Sequence, residues 1–201
     1  SLKQLTSEPG DVQDLRLSGD GKSLFYSHSY INKPNELYYL DLNDYSGKQI
    51  TSTISPKFSQ VEWSVSEVIN FSNEEDGTPL YAFLYKPENY NPKKKYPLIC
   101  FAHGSGYLQN VTYGFSPYGD NYLVNTFLTS QGYIILDVDF RGSFGYGREF
   151  RNKTYHNLGQ WEISDYISGI NYLNTLGIID REKVGIYGGS YGGFITLMSM
   201  F

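Results

Sequence analysis

The residue with the clearest chemical potential is the single serine of the segment IYGGSYGGF, residues 186–194, where it stands between two pairs of glycines. Gly188, Ser190 and Gly192 fit the pattern G-x-S-x-G, which presents a serine hydroxyl at a sharp turn from a strand into a helix. Glycines two residues to either side of the serine remove side chains that would collide with the neighbouring chain. The pattern therefore predicts that Ser190 is a nucleophile for acyl transfer.

A plain glycine-rich turn and a phosphate-binding loop are the alternatives for this segment. Phosphate binding is not predicted, because neither G-x-x-x-x-G-K-[ST] nor G-x-G-x-x-G occurs and the glycines of RGSFGYG, residues 141–147, are wrongly spaced. The strand-like run KVGIY before the serine and the helix-compatible run FITLMSMF after it supply the context that a nucleophile needs. The plain turn remains the alternative.

A serine nucleophile also needs hydrogen-bond donors for the negative charge that develops on the attacked carbonyl. In a strand–turn–helix arrangement one donor is the backbone N–H of the next residue, here Tyr191, and the other comes from a loop after an earlier strand. The segment HGSGY, residues 103–107, directly follows the apolar run YPLICFA. It is the candidate for that loop, with a plain turn as the alternative.

The N-terminal part of the chain has the pattern of a small antiparallel sheet. Residues 12–53 contain short runs of alternating apolar and polar residues, broken by Asp-Gly and Ser-Gly turns. This predicts a meander of three or four strands. The meander resembles one blade of a β-propeller, a unit that buries its faces only against neighbouring blades. We therefore expect residues 1–60 to be the last blade of a propeller that continues upstream, or alternatively a small self-contained β domain.

Residues 61–201 combine strands with helices. EVINFS and PLYAFLYKP read as antiparallel edge strands, and YPLICFAH as a central strand. A helix ending at Gly132, the strand YIILDVD and a second helix stopped by Gly177 follow. The alternation over residues 96–201 predicts a mostly parallel α/β sheet with helices on both faces. One face of the second helix is predicted to carry Ile163, Tyr166, Ile167, Ile170 and Leu173.

Four segments together resemble the catalytic domain of the prolyl oligopeptidase family of serine peptidases: YPLICFAHGSG, GYIILDVDFRGSFGYGREF, LGQWEISDYISGINYL and KVGIYGGSYGGFITLM. The resemblance covers residues 65–201 and, through the blade-like segment, extends to the whole chain. It implies an α/β-hydrolase fold, of which residues 61–201 are the N-terminal part, preceded by a β-propeller. It also implies hydrolysis of short peptides, because the family's propeller restricts entry to small unfolded substrates.

The same resemblance implies roles for particular residues. Ser190 is the expected nucleophile and Tyr191 an expected donor of the oxyanion hole. His103 stands where two branches of the family place a tyrosine hydroxyl, and the sequence is more similar to the branch with H-G-x-x. This implies a second backbone donor at Gly104. His103 completes the set of candidate oxyanion-hole residues, although a direct contribution from it is doubtful.

The base and the acid of a catalytic triad are missing from the expected place. α/β-hydrolases arrange the triad in the order nucleophile, acid, base, and the 11 residues after Ser190 include no Asp, Glu or His. His103 and His156 precede the serine, and neither is expected to be the base. We expect a fragment whose triad partners lie downstream and which is inactive by itself. An esterase on the same fold and a non-catalytic fragment acting as a binding module are the alternative functions.

Acidic residues before the serine have structural interpretations. Glu162 and Asp165 are placed in the first turns of a predicted helix, where carboxylates interact favourably with the helix dipole. Asp137 and Asp139 end a predicted strand close to Arg141. An ion pair that braces the following loop is expected there.

Composition excludes several classes of protein. The 201 residues are 40% hydrophobic with a net charge of −5 and mixed signs, which indicates a globular chain with no basic stripe for nucleic acid and no polybasic membrane patch. A lone cysteine, Cys100, and three scattered histidines predict neither a disulfide nor a metal site. No cofactor is expected.

The sequence leaves location and assembly open. No apolar run approaches the roughly 20 residues needed to cross a bilayer. The first residue is a serine with no signal-peptide pattern, so we expect a soluble chain whose native start is missing. The compartment and the oligomeric state, with a homodimer as one alternative, are not predicted.

Overall fold

The computed structural model describes residues 2–201 and divides the chain into two compact units. The first unit comprises Ser1–Trp63 and Thr112–Pro117, and the second comprises Ser64–Val111 and Tyr118–Phe201. All of the candidate residues for acyl transfer lie in the second unit.

The first unit contains one sheet of four antiparallel strands in sequential order. They are β1 (Asp11–Leu17), β2 (Ser23–Tyr30), β3 (Lys33–Asp41) and β4 (Gly47–Gln49), and the short helix α1 (Pro56–Ser59) follows. In the turn before β2, the Gly21 N–H donates to Ser18 O at 2.9 Å. Gly21 has φ +70°, a conformation that glycine adopts readily. The predicted antiparallel meander is confirmed, whereas its origin in a propeller remains an interpretation.

The second unit contains a mixed sheet of five strands. They are β5 (Ser66–Ser72), β6 (Pro79–Tyr85), β7 (Tyr96–Ala102), β8 (Ile134–Asp139) and β9 (Ile179–Gly188), in the order β5-β6-β8-β7-β9. β7 is parallel to both β8 and β9, which confirms it as a central strand. The prediction that β6 is an edge strand is wrong, because β6 pairs with β5 on one side and with β8 on the other.

Helices cover both faces of this sheet. They are α2 (Gly119–Ser130), α3 (Arg148–Asn152), α4 (Trp161–Thr175) and α5 (Tyr191–Met198). Successive residues of a strand point to opposite faces. On β7, Cys100 joins the core cluster that contains Tyr166 of α4, whereas Phe101 packs on Tyr187 at 5.1 Å, and the Tyr187 hydroxyl donates to Asn125 of α2. The predicted α/β arrangement with helices on both faces is therefore confirmed.

The buried face of α4 differs from the prediction. Tyr166 and Leu173 are buried in the core, as the periodicity predicts, but Ile167 is 49% exposed. Glu162 and Asp165 are instead fully buried. Buried carboxylates need partners, and those partners are part of the candidate site described below. Along the described residues, no helix combines the length and apolar character required to cross a membrane.

Candidate active site

Ser190 lies in the turn that joins β9 to α5. Its backbone has φ +55° and ψ −121°, a conformation that costs a residue with a Cβ about 1–3 kcal/mol. The residue is exposed at the carboxyl end of the central, parallel part of the sheet. The turn is thus strained in the way that the glycine spacing predicts, and the serine it carries is accessible.

The glycines of the G-x-S-x-G pattern are required by the carbonyl group of Ala102, the last residue of β7. A Cβ atom at Gly188 would lie 2.3 Å from Ala102 O, and one at Gly192 would lie 1.9 Å from it. Neither distance is sterically allowed, and the neighbouring atom is backbone that cannot rotate away. By contrast, Gly189 faces open space and a Cβ at Gly193 would meet only Gly188 O at 3.4 Å. The tight contact between β7 and the turn therefore selects two of the four glycines.

The loop after β7, residues 103–111, runs against Ser190. A Cβ at Gly104 would lie 3.4 Å from the Ser190 Cβ and 3.2 Å from Gly189 O, so the Gly104 backbone is in close contact with the turn. Tyr191 is the first residue of α5, where N–H groups have no partner within the helix and favour negative charge. The structure therefore brings Ser190, Tyr191 and Gly104 together.

The side chain of His103 is fully buried and has partners other than Ser190. Its Nδ1 lies 2.9 Å from Gly104 O and its Nε2 lies 3.0 Å from Ser143 Oγ. Burial lowers the pKa of His103 to about 4, so the ring is neutral at pH 7. Because a carbonyl oxygen only accepts, Nδ1 carries the proton and Ser143 donates to Nε2. Asp139 is 3.7 Å from Nε2, but a neutral ring forms no ion pair with it.

These contacts give His103 a structural place in the site. The ring stacks on Phe140 at 4.1 Å, and its two nitrogens connect the loop after β7 with the loop after β8. Neither nitrogen is available to a substrate in this arrangement. Of the four candidate residues, His103 is the one that the structure does not place against the serine.

Tyr118 contributes to the site, although no sequence motif marks it. Its hydroxyl oxygen would lie 3.0 Å from a Cβ at Gly104, and it hydrogen-bonds with the Gly104 backbone and the Ser105 side chain. The ring packs edge-on against Phe101 at 5.9 Å. Burial raises the pKa of Tyr118, so its hydroxyl stays protonated at neutral pH. Only the fold brings this residue to the loop, because its position follows from where α2 begins.

A cleft of about 780 Å³ opens beside the Tyr191 side chain. The Tyr191 ring packs on Gly106, where a Cβ would lie 2.8 Å from it, and the hydroxyl donates to Glu162. Glu162 also accepts from the Gly159 N–H at 3.1 Å, and burial raises its pKa. Glu162 thus lies in the first turn of α4 as predicted, but it also fixes Tyr191. The cleft is further lined by Tyr107, Arg151, Asn152, Tyr155, His156 and Leu158.

The predicted ion pair of Arg141 with Asp137 and Asp139 is wrong. Arg141 Nη2 lies 2.7 Å from Asp165 Oδ1 and Arg141 Nη1 lies 2.6 Å from Asp76 Oδ2. The backbone N–H of Arg141 also donates to Asp165 at 2.7 Å. Asp165 therefore forms an ion pair with Arg141, whereas the sequence predicted an interaction with the helix dipole. Asp137 and Asp139 point instead toward the loop of residues 103–111.

The described residues contain no cluster of three or more His, Cys, Asp or Glu side chains arranged to hold a metal ion. Cys100 is buried in the core, and burial raises the pKa of its thiol to about 12. A thiol in this state is neither a nucleophile nor a ready metal ligand. The chemistry available at the site is therefore that of the Ser190 hydroxyl.

Comparison with known proteins shows which family these features resemble. Residues 121–201 match the model of the prolyl oligopeptidase family. Human dipeptidyl peptidase 8 is 36% identical over 209 residues, which are 96% of this chain and 23% of that protein. An uncharacterized peptidase of Bacillus subtilis is 29% identical over 92% of this chain and 27% of its own length. The chain spans about a quarter of the length of the relatives it matches.

Solved structures agree with the sequence matches. Dipeptidyl peptidase 4 of Porphyromonas gingivalis aligns with 98% of this chain and 28% of its own, at a TM-score of 0.81 and 25% identity. Acylaminoacyl peptidase of Pyrococcus horikoshii aligns with 96% of this chain and 29% of its own, at a TM-score of 0.76 and 25% identity. The family resemblance predicted from the motifs is confirmed, and so is the mixed α/β fold.

Proposed function

We propose that this chain, as a member of the prolyl oligopeptidase family, carries the nucleophile and the oxyanion-binding loop of a serine peptidase with an α/β-hydrolase fold. The observation that carries the proposal is the strained, exposed Ser190 at φ +55° between β9 and α5. A plain glycine-rich turn would not require Gly188 and Gly192 to lie against Ala102 O, nor would it place Gly104 against the serine.

The proposed reaction is acyl transfer to Ser190. The Ser190 Oγ attacks the carbonyl carbon of a peptide bond while a histidine base takes its proton. The backbone N–H groups of Tyr191 and Gly104 donate to the oxyanion of the tetrahedral intermediate, and the Gly104 N–H does so in exchange for its hydrogen bond to the Tyr118 oxygen. The protonated base then gives its proton to the leaving amine, which departs and leaves an ester on Ser190. Water, deprotonated by the same base, attacks this ester, and the base returns the proton to the departing Ser190 Oγ.

The base and the acid are proposed to come from outside residues 2–201. In the second unit the histidines are His103 and His156, and both nitrogens of His103 are engaged by Gly104 and Ser143. His156 is exposed in the cleft, with its ring tilted against that of Tyr155 at 4.0 Å, and no hydrogen bond of the described residues joins it to Ser190. We therefore expect the 201-residue chain alone to have no peptidase activity.

The proposed substrates are short peptides. Relatives and structural neighbours of this chain are named dipeptidyl peptidases and acylaminoacyl peptidases, which act on the ends of peptides by their names. The cleft beside Tyr191 has a volume suited to a side chain or a short peptide segment. The four-stranded sheet of the first unit supports a β-propeller that would exclude folded proteins.

Labelling of the full-length protein with a fluorophosphonate tests the proposal. We expect rapid covalent labelling of Ser190, because an activated serine attacks the phosphorus atom and expels fluoride. Ser190→Ala should abolish labelling and turnover, whereas the control Ser199→Ala, an exposed serine at the end of α5, should leave both unchanged. Absence of labelling in the full-length wild type would favour the non-catalytic alternative.

A second measurement separates a peptidase from an esterase on the same fold. We expect the full-length protein to hydrolyse aminoacyl amides of short peptides as well as simple acyl esters. An amide leaving group is poor and needs a general acid, which an ester does not require to the same degree. Turnover of esters alone would contradict the peptidase proposal.

A further inference from the structure

We propose that Asp139 is a positioning residue for this reaction, because it fastens the loop of residues 103–111 in the place where Gly104 contacts Ser190. The inference rests on the proposed function of Ser190 and Gly104. It assigns a role to a carboxylate that does not itself touch the serine.

Asp139 is the last residue of β8, and its side chain is fully buried. Its Oδ1 accepts from the Asn110 N–H at 2.8 Å, and its Oδ2 accepts from the Val111 N–H at 3.1 Å. The Tyr146 hydroxyl donates to Oδ2 at 2.7 Å. One carboxylate thus holds two successive backbone groups of one loop and a side chain of the next.

The loop of residues 103–111 is fixed at both of its ends. It starts directly after β7, and it ends on the two hydrogen bonds to Asp139. Between these points Gly104 contacts Ser190, Gly106 contacts the Tyr191 ring, and Leu108 O accepts from the Phe144 N–H at 3.3 Å. Release of the distal end would let the segment that carries Gly104 shift relative to the serine.

A carboxylate is required because three donors converge on one buried point. Two carboxylate oxygens accept hydrogen bonds and carry no proton at neutral pH to oppose them. An amide keeps one oxygen and directs an NH₂ group at a donor, which leaves at least one N–H or O–H without an acceptor. Asn110 is 0% exposed and Val111 is 7% exposed, so water cannot readily replace the lost acceptor.

The test measures amide hydrolysis by the full-length Asp139→Asn variant, with kcat expressed per active site titrated to completion with a fluorophosphonate. We expect kcat to fall by about 10- to 100-fold, because a displacement of about 1 Å in a catalytic group costs up to about 100-fold. KM should stay within about 2-fold of the wild-type value, because the loop is proposed to act on the transition state. Counting titrated sites removes any fraction that fails to fold.

Two further variants show whether the effect on kcat comes from the hydrogen bonds of Asp139. Tyr146→Phe removes one donor and leaves both backbone bonds, so kcat should fall by only about 2- to 5-fold. If Asp139→Asn does not fold, an unchanged kcat in Tyr146→Phe overturns the inference.

The matched control is Asp137→Asn on the same strand. Asp137 is equally buried, and its carboxylate accepts from the Asn110 side chain and from no backbone group of the loop. It should retain kcat within about 2-fold.

The outcomes separate this inference from the function on which it rests. If the wild type is not labelled at Ser190, the proposed function fails. If the wild type is labelled there and Asp139→Asn keeps its kcat per titrated site, the inference alone fails. An equal loss in Asp137→Asn would also overturn it, because the effect would then belong to any buried carboxylate of β8.

Discussion

At the scale of single residues, the contact of Gly192 with Ala102 O makes a clear prediction. A Cβ at Gly192 would lie 1.9 Å from that carbonyl oxygen, so Gly192→Ala must displace the turn or β7. We expect a loss of at least about 3 kcal/mol in the free energy of unfolding. The matched control is Gly193→Ala on the same helix, where alanine fits and favours the helix by about 1 kcal/mol. Unfolding of both variants in urea, as full-length proteins, checks the prediction, and equal stabilities would contradict it.

Residue-scale features differ in how far the sequence predicts them. The strained turn at Ser190 could be predicted, because two glycines and the flanking runs lie within nine consecutive residues. Tyr118 and the partners of Arg141 could not. Arg141 binds Asp165 and Asp76, which are 24 and 65 positions away, and such polar pairs leave no periodic trace in the sequence.

At the scale of elements, Asp165 joins three parts of the second unit. It accepts from Arg141 after β8 and from Asn73 after β5, and it lies on α4. Asp165→Asn would leave the buried guanidinium with Asp76 as its remaining carboxylate partner, and we expect a loss of about 3–5 kcal/mol. Urea unfolding of the full-length variant measures this loss.

A surface ion pair supplies the control for Asp165. Asp180 on β9 lies 3.1 Å from Lys183, and both side chains reach solvent, at 31% and 69% exposure. Exposed pairs contribute about 0–1 kcal/mol, so Asp180→Asn should be nearly neutral. A loss of similar size in both variants would show that the buried ion pairs of Arg141 contribute no more to the free energy of unfolding than an exposed pair does.

Elements themselves were predicted where local patterns dominate. Strands and turns of the first sheet follow from alternation and from Asp-Gly turns. The helices α2 and α4 follow from the runs that end at Gly132 and Gly177. The buried side of α4 was predicted incompletely. Periodicity assumes that only apolar residues are buried, whereas Glu162 and Asp165 are buried by their hydrogen bonds to Tyr191 and Arg141.

At the scale of the whole molecule, strand order marks the limit of prediction from sequence. The alternation of strands and helices predicts the parallel strands β7, β8 and β9 but not that β8 inserts between β6 and β7. That order depends on which strands bury the most surface together, which is a property of the folded chain. It is also what brings the loops after β7 and β8 into contact, and with them His103 and Asp139.

His103 and Asp139 are expected to have opposite effects on how the free energy of unfolding changes with pH. Burial lowers the pKa of His103 from 6.5 to about 4, so between these values the unfolded chain binds more protons and acidification destabilises the fold. Burial raises the pKa of Asp139 from 3.8 to about 6, so between these values the folded chain binds more protons and acidification stabilises it. Each of these two changes in pKa corresponds to about 3 kcal/mol, and the two contributions nearly cancel.

Removing one member of the pair should expose the contribution of the other. Relative to wild type, we expect His103→Gln to gain about 3 kcal/mol of stability between about pH 7 and pH 4, because the stabilising protonation of Asp139 is then unopposed. Asp139→Asn should lose a similar amount over the same range, because only His103 then titrates. Urea unfolding of the full-length proteins at several pH values measures both differences, in which the titrating groups remote from the pair cancel, whereas Asp139→Asn also lowers the pKa of the adjacent Asp137. The double variant should differ from wild type by an amount that does not change with pH; a slope in that difference would show that the two shifts do not compensate.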